Sequence, residues 1–525
     1  MTTDFVRNLD KPLLQLTPTD AISVRASFTG FHAYGATGSG KSSGTAKLLS
    51  GALLRAGYGG LVMTAKPDEI SVWLAHAKQH GRENSVIVFD EQRHFNFIQY
   101  EFSRRGAEAA NSVTDILLKV LKAADVAAGQ AQGQEGEAIW IKTTREMILN
   151  TITVLYSATG MVRIDSIVEF ITSMPTAPPS TEEEKKKQVT NYALDRLIRC
   201  KKNPVHRLQE HTLKRVRNYW LKQYVTMPEK MRGSITTSVC AELNRFSDGI
   251  LREQLCTTTD IVPEMTFSGA IIIMGFPVLS YPEEGLVLQQ IFKMMFQRAV
   301  ESRNGLDPVF QERPLFLFAD ESQYYISESD DLFLSTCRSS KCSVVYLTQS
   351  VSTYYAQLGK KYEERVSAFV SKFGNVIFHS NLCSQTNRLA SQLIGRGLHL
   401  RRNWGESKGT SRDRSTNANS SSGVNYSDGD SQSEQGNGSN SGSGRDSGSS
   451  YGRGSSEGSS HTMDTGTTEQ MDDLIETNFF SQHLKTGAQE NDFVVTALWL
   501  KAGANFKQPM PGASNNVILA TFKQR

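Results

Sequence analysis

Gly35-Ala36-Thr37-Gly38-Ser39-Gly40-Lys41-Ser42 is the stretch on which the fold turns. It satisfies GxxxxGK[ST] at every position, the pattern of a phosphate-binding loop. Glycines let successive backbone N–H groups turn inward around an anion, which bulkier residues would prevent. An apolar stretch, Ala26–Tyr34, runs into the loop and a helical pattern, Lys41–Arg55, runs out of it. That strand–loop–helix setting aims a helix N-terminus at the phosphates. Lys41 is expected to reach the β- and γ-phosphates and the Ser42 hydroxyl to ligate Mg²⁺. ATP and Mg²⁺ are therefore the expected ligands.

Working outward, a loop of this kind needs a partner carboxylate. Leu315-Phe316-Leu317-Phe318-Ala319-Asp320-Glu321 supplies an apolar run that ends in two acids. Ligands of open α/β sheets bind at the carboxyl ends of strands. Asp320 is expected to hold Mg²⁺ through water, and Glu321 to orient and polarise the attacking water. The strand Ser343–Thr348 ends in Gln349, whose amide can bond the γ-phosphate or that water; otherwise it is a polar strand terminus satisfied by solvent. Between them lies Arg338. Supplied by a neighbouring subunit it can neutralise charge in phosphoryl transfer; otherwise it is a solvated helix-end cation.

The surrounding chain reads as α/β. Gly59–Ala65 and Ser85–Asp90 read as strands, and Lys41–Arg55 and Glu69–His80 as helices, a rhythm that predicts a parallel sheet. Further strands are expected at Ser268–Phe276, Pro314–Ala319, Ser343–Thr348 and Asn375–His379. The expected domains are a first half of a nucleotide-binding domain over 1–100 and an all-helical insertion over 101–262. A second half over 263–404, a Ser/Gly-rich linker over 405–467 and a returning segment over 468–525 follow. The linker is expected to be disordered, because so few large apolar side chains cannot offset its chain entropy.

Composition narrows the class further. With 525 residues and 38% hydrophobic side chains the chain has ample core for more than one domain. Its net charge is only +3, so a basic surface has to be local. Such a block runs from Lys185 to Arg232, with Lys214, Arg215 and Arg217 at its centre and Tyr219, Trp220 and Tyr224 interleaved. It reads as a footprint for a phosphate backbone, or as a solvated helical face. Six cysteines without a CxxC pair read as reduced structural thiols. No signal-peptide pattern and no membrane-length apolar run is expected, so the reading is cytoplasmic.

The order of these parts resembles the type IV secretion coupling proteins, conjugative DNA-transfer ATPases of the FtsK/HerA superfamily. The match lies in the phosphate loop, Thr64–Glu69 after the second strand, the helical insertion and "ADESQ" at Ala319–Gln323. Arg338 stands 18 residues after Asp320, and Gln349 of "TQS" 11 beyond that. Thr236–Leu255, Val351–Gly359 and Ser384–Gly395 match as well.

The resemblance implies a RecA-like P-loop domain with an inserted all-α domain. It makes Arg338 a finger acting in trans and Gln349 a sensor. It implies a hexameric ring that moves DNA, with relaxosome or secretion-channel proteins as partners and peripheral docking at the inner face of the cell membrane. Two departures stand out: family members usually begin with transmembrane helices, and Ala65-Lys66-Pro67-Asp68 replaces the usual Asp-Pro-Lys-Gly-like turn. An adaptor that recruits protein substrates, and a repair or packaging motor, are the alternative functions.

Overall fold

A computed structural model describes residues 5–127, 137–177, 190–358, 363–417 and 452–524. The chain divides into two compact units, Met1–Gly395 with Asp473–Arg525, and Arg396–Asp472.

The first unit is built on one nine-stranded sheet. A short antiparallel pair, β1 (Pro12–Gln15) and β2 (Ala21–Ser23), precedes it. The sheet strands are β3 (Phe31–Tyr34), β4 (Gly59–Met63), β5 (Val86–Phe89), β6 (Ile271–Met274), β7 (Leu315–Ala319), β8 (Cys342–Thr348) and β9 (Asn375–Phe378). All seven run parallel. Two later strands complete the sheet after β10 (Arg396–Asn417) and β11 (Gly452–Asp473): β12 (Val494–Lys501) and β13 (Val517–Lys523). β12 pairs antiparallel with both β9 and β13, so the order is β13-β12-β9-β3-β8-β7-β4-β6-β5.

The sequences of these strands explain the layering. Ile271-Ile272-Ile273-Met274, Leu315–Ala319 and Cys342–Thr348 are buried at every position, as strands covered on both faces must be. One apolar cluster joins Phe31, Val62, Ile273 and Phe318 to the helix Lys47–Arg55 and to Trp73, which stacks on Phe316. The other cluster joins Leu61, Ile272 and Leu317 to the helix Glu284–Ser302 and to the long helical segment between β5 and β6. Glu284–Ser302 is buried nearly all round, the condition of a core helix.

Among the described residues every regular element between β5 and β6 is helical. The insertion's residues Met147, Ile148, Ile152 and Phe170 belong to the same continuous cluster as the sheet strands, within the first unit.

The second unit is a two-stranded sheet of β10 and β11. Of the linker expected over 405–467, residues 405–417 and 452–467 lie in these strands, and 418–451 lie outside the described residues. Polar composition excludes an apolar core, but strand pairing needs none: it satisfies backbone N–H and C=O groups directly.

Candidate nucleotide site

The phosphate loop leaves the C-terminal end of β3. Gly35 N–H donates to Thr348 O at 3.2 Å and Ala36 N–H to Ser380 O at 3.0 Å, which ties the loop's first turn to the ends of β8 and β9. Thr37 and Gly38 form the exposed tip, while Ser39 is buried. Gly40 has φ +81°, and a Cβ there would lie 2.3 Å from Val495 Cγ2 of β12. Only glycine meets both demands. The helix then opens with a wide turn, Ser42–Ala46, before Lys47–Arg55. β13 closes against that turn, with Phe522 beside Gly44 and Gln524 Nε2 donating to Ser43 Oγ at 2.8 Å.

Lys41 and Ser42 meet the acids at the end of β7. Ser42 Oγ donates to Asp320 Oδ2 at 2.6 Å, and Lys41 Nζ lies 3.2 Å from Asp320 Oδ1 and 3.8 Å from Glu321 Oε1. The Lys41 side chain is only 5% exposed, so its charge is held by those carboxylates rather than by water. Burial alone would raise the Asp320 pKa; the Lys41 charge and the bonds from Ser42, Lys41 and the Glu321 N–H outweigh it and hold the carboxyl below its usual range.

Glu321 sits in the left-handed backbone region, φ +54° and ψ +47°, which costs a non-glycine residue about 1–3 kcal/mol. Its Oε2 accepts from Gln323 Nε2 at 2.9 Å, and Lys66 Nζ stands 3.5 Å from Oε1.

Gln349 lies at the same edge of the sheet, because β8 runs between β3 and β7. Its carbonyl accepts from Asn381 Nδ2 at 2.7 Å. Arg338 is not brought to the cluster. It is exposed, and the turn Arg338–Lys341 precedes β8, with Leu315 N–H bonded to Lys341 O at the opposite end of the sheet. The seven residues of β8 separate it from the carboxylates by about 20 Å.

Sequence reasoning assigned no role to the turn after β4, yet it supplies two groups. Lys66 faces Glu321, and the Glu69 carboxyl accepts from the Ala65 N–H at 2.8 Å. Burial first, and the Asp320 charge second, push the Glu69 pKa up to about 8. Glu69, Lys66, Ser42 and Asp320 line a cavity of about 130 Å³ together with Trp73 and His76. Two further groups went unread. Thr45 Oγ1 and His379 Nε2 are 2.7 Å apart, and burial first, then Lys41, lowers the His379 pKa to about 3.

The residues present fit a nucleotide with Mg²⁺. A buried ammonium, a hydroxyl already bonded to a carboxylate and glycines that leave room for a backbone cradle are the groups such a ligand needs.

The basic block is less uniform than its sequence. Arg196 and Arg199 pair with Asp195, and Arg232 donates to Val225 O. Lys214 and Arg215 are exposed, and Lys185–Lys187 lie outside the described residues. Tyr219, Trp220 and Tyr224 are buried around Phe170, so they are core rather than platforms for stacked bases. No single helix among the described residues is long and apolar enough to cross a membrane.

Strand order defines the class: a mixed α/β fold with a large, mostly parallel sheet and many helices. The bacterial conjugative coupling protein TrwBdeltaN70 in its unbound monoclinic form shares this fold, with a TM-score of 0.53, 12% identity and coverage of 99% of this chain and 90% of that one. TrwB in complex with ADP and Mg²⁺ is another structural neighbour, at TM-score 0.47 and 15% identity over 71% of this chain and 75% of that one. VirB4 of Thermoanaerobacter pseudethanolicus matches at TM-score 0.39 and 11% identity over 70% of this chain and 81% of that one. No protein-family model matches the chain, and no curated protein matches its sequence.

Proposed function

We propose that this chain is an ATP-hydrolysing motor that moves DNA as a ring of identical subunits and hands it to a type IV secretion channel. The observation that supports it most is the convergence at one sheet edge of Lys41 and Ser42 with Asp320 and Glu321, Ser42 and Asp320 being 278 residues apart in the chain. The fold shared with TrwBdeltaN70 points the same way.

In this reading Gly35–Ser42 wraps the phosphates, with Lys41 on the β- and γ-phosphates. Ser42 and Asp320 would hold Mg²⁺, which when bound neutralises phosphate charge. Glu321 orients the attacking water and takes its proton, Gln349 contacts the γ-phosphate end, and Arg338 of one subunit acts on the site of the next. Relaxosome or channel proteins are the expected partners, at the cytoplasmic side of a membrane.

Hydrolysis measured with and without DNA, at rising salt, tests the proposal. Stimulation by DNA that fades steeply with salt is the expected result. Hydrolysis indifferent to DNA at low salt, in a demonstrably oligomeric preparation, would favour an ATP-controlled adaptor for protein substrates.

A further inference from the structure

Glu321 does not hold its carboxylate alone. Gln323 Nε2 donates to Glu321 Oε2 at 2.9 Å, and the other end of the same amide, Oε1, accepts from Thr348 Oγ1 at 2.8 Å. Thr348 is fully buried at the end of β8, and Gln323 is 8% exposed. Thr348 Oγ1 also lies 2.8 Å from Thr353 Oγ1, in the helix Val351–Leu358.

An amide has one donor end and one acceptor end. The Glu321 carboxylate only accepts, so it draws the NH₂ end, and the Thr348 hydroxyl, able to donate, anchors the Oε1 end. A flip would set the Gln323 carbonyl against the carboxylate and break that bond, while the Thr348 hydroxyl could turn to accept from the NH₂ group. The turn is rigid on its other side too: Ser322 Oγ donates to Leu347 O at 2.9 Å and lies 2.6 Å from Tyr354 OH.

We propose that Gln323 is a positioning residue for hydrolysis: anchored by Thr348, it aims the Glu321 carboxylate and links it to the helix Val351–Leu358. The proposal rests on the assignment of Glu321 to water activation. In this role Gln323 acts through Glu321. Because Thr348 precedes Gln349, a shift of the β8 end on nucleotide binding moves the Gln323 anchor with it.

The test uses the full chain with ATP and Mg²⁺, comparing Gln323→Ala, Thr348→Val, Thr348→Ser, the double variant and Glu321→Gln. In Gln323→Ala, kcat is expected to fall about tenfold or more while KM for ATP and the melting temperature stay close to wild type. Thr348→Val should give a smaller loss of the same kind, and Thr348→Ser, which keeps the hydroxyl, should restore turnover. The double variant should lose no more than Gln323→Ala alone, since both remove one chain of bonds. A Gln323→Ala enzyme with wild-type kcat overturns the proposal. So does a loss matched by weaker ATP binding and a lower melting temperature, which is a structural role, and so do additive losses in the double variant. Glu321→Gln separates the two claims: if it turns over normally, the assignment of Glu321 has failed, whereas if it is inactive and Gln323→Ala is normal, only the positioning role has failed.

Discussion

Ser42 Oγ and Asp320 Oδ2 stand 2.6 Å apart although 278 residues separate them in the chain. The bond spans the ends of two strands that are not neighbours, since β8 lies between β3 and β7. Lys41 bridges the same carboxylate from the other side, so the cluster already has opposed charges arranged for a phosphate and a cation.

Binding and chemistry should separate along this cluster. Lys41→Ala removes the buried ammonium and should weaken ATP binding and hydrolysis together. Glu321→Gln keeps the shape and loses only proton acceptance, so kcat should fall by about 10²-fold or more with ATP binding largely retained. Equilibrium nucleotide binding beside steady-state turnover decides it; rapid turnover in Glu321→Gln would reassign the base.

Arg338 lies at the wrong end of its own sheet to reach its own site, so any catalytic role requires a second subunit. Specific activity should rise with protein concentration as assemblies form. Arg338→Ala and Lys41→Ala proteins, each inactive, should recover part of the activity on mixing, because some interfaces then pair an intact loop with an intact arginine. Mixed assemblies that form and remain inactive would remove Arg338 from the mechanism.

Glu69 gives the site a pH signature of its own. Its folded pKa, about 8, exceeds the ordinary 4.5, so the folded chain keeps this proton longer than the unfolded chain does. Its contribution to stability is fully present below the ordinary value and is lost as pH rises through about 8. In nucleotide-free, chelator-treated protein, Glu69→Gln should therefore gain stability relative to wild type on going from pH 5 to pH 8, by about 2–4 kcal/mol. Melting curves at the two pH values give the comparison, and an equal difference at both would show that Glu69 titrates normally.

Much of this was legible because it is local. The loop Gly35–Ser42 and the run Leu315–Glu321 announce themselves through residue type and spacing alone, and the buried strands through unbroken apolar runs. What stayed hidden depends on approaches between distant parts of the chain. Glu69 reads as an ordinary first-turn helix acid until Asp320 is placed beside it. Gln323 reads as a polar turn residue until Thr348 meets its amide. Tyr219, Trp220 and Tyr224, spaced among cations, suit base stacking equally well on paper; their packing on Phe170 is a tertiary fact. The strands β10 and β11 escaped for a different reason: composition reports how much apolar surface side chains can bury, and backbone pairing does not depend on it.

Trp220 offers a direct check on that reassignment. It is fully buried, with edge contacts to Phe170 and Tyr219. Trp220→Ala should cost about 3–5 kcal/mol of stability, as large-to-small changes in a core do. Below its melting temperature the variant should bind DNA as wild type does. Reduced DNA affinity in a protein of unchanged melting temperature would put Trp220 on the binding surface after all.

The charged face remains as the candidate DNA-binding surface, now without the aromatics. Lys214 and Arg215 are exposed on the helix Glu210–Asn218 and Arg217 is half-buried on it, whereas Arg196 and Arg199 are engaged with Asp195. Cations that neutralise phosphates release condensed counterions, so affinity should fall linearly with salt on logarithmic axes and show little sequence preference. Reversing Lys214, Arg215 and Arg217 to glutamate should lower affinity and flatten the slope by up to about 0.9 for each duplex phosphate no longer neutralised. Basal hydrolysis without DNA should persist, because none of the three lines the nucleotide site. Fluorescence anisotropy across salt concentrations, with the ATPase rate measured in parallel, distinguishes the outcomes. An unchanged slope would place any DNA path elsewhere on the protein. Failure to bind a protein partner, with DNA binding intact, would make this face an adaptor surface instead.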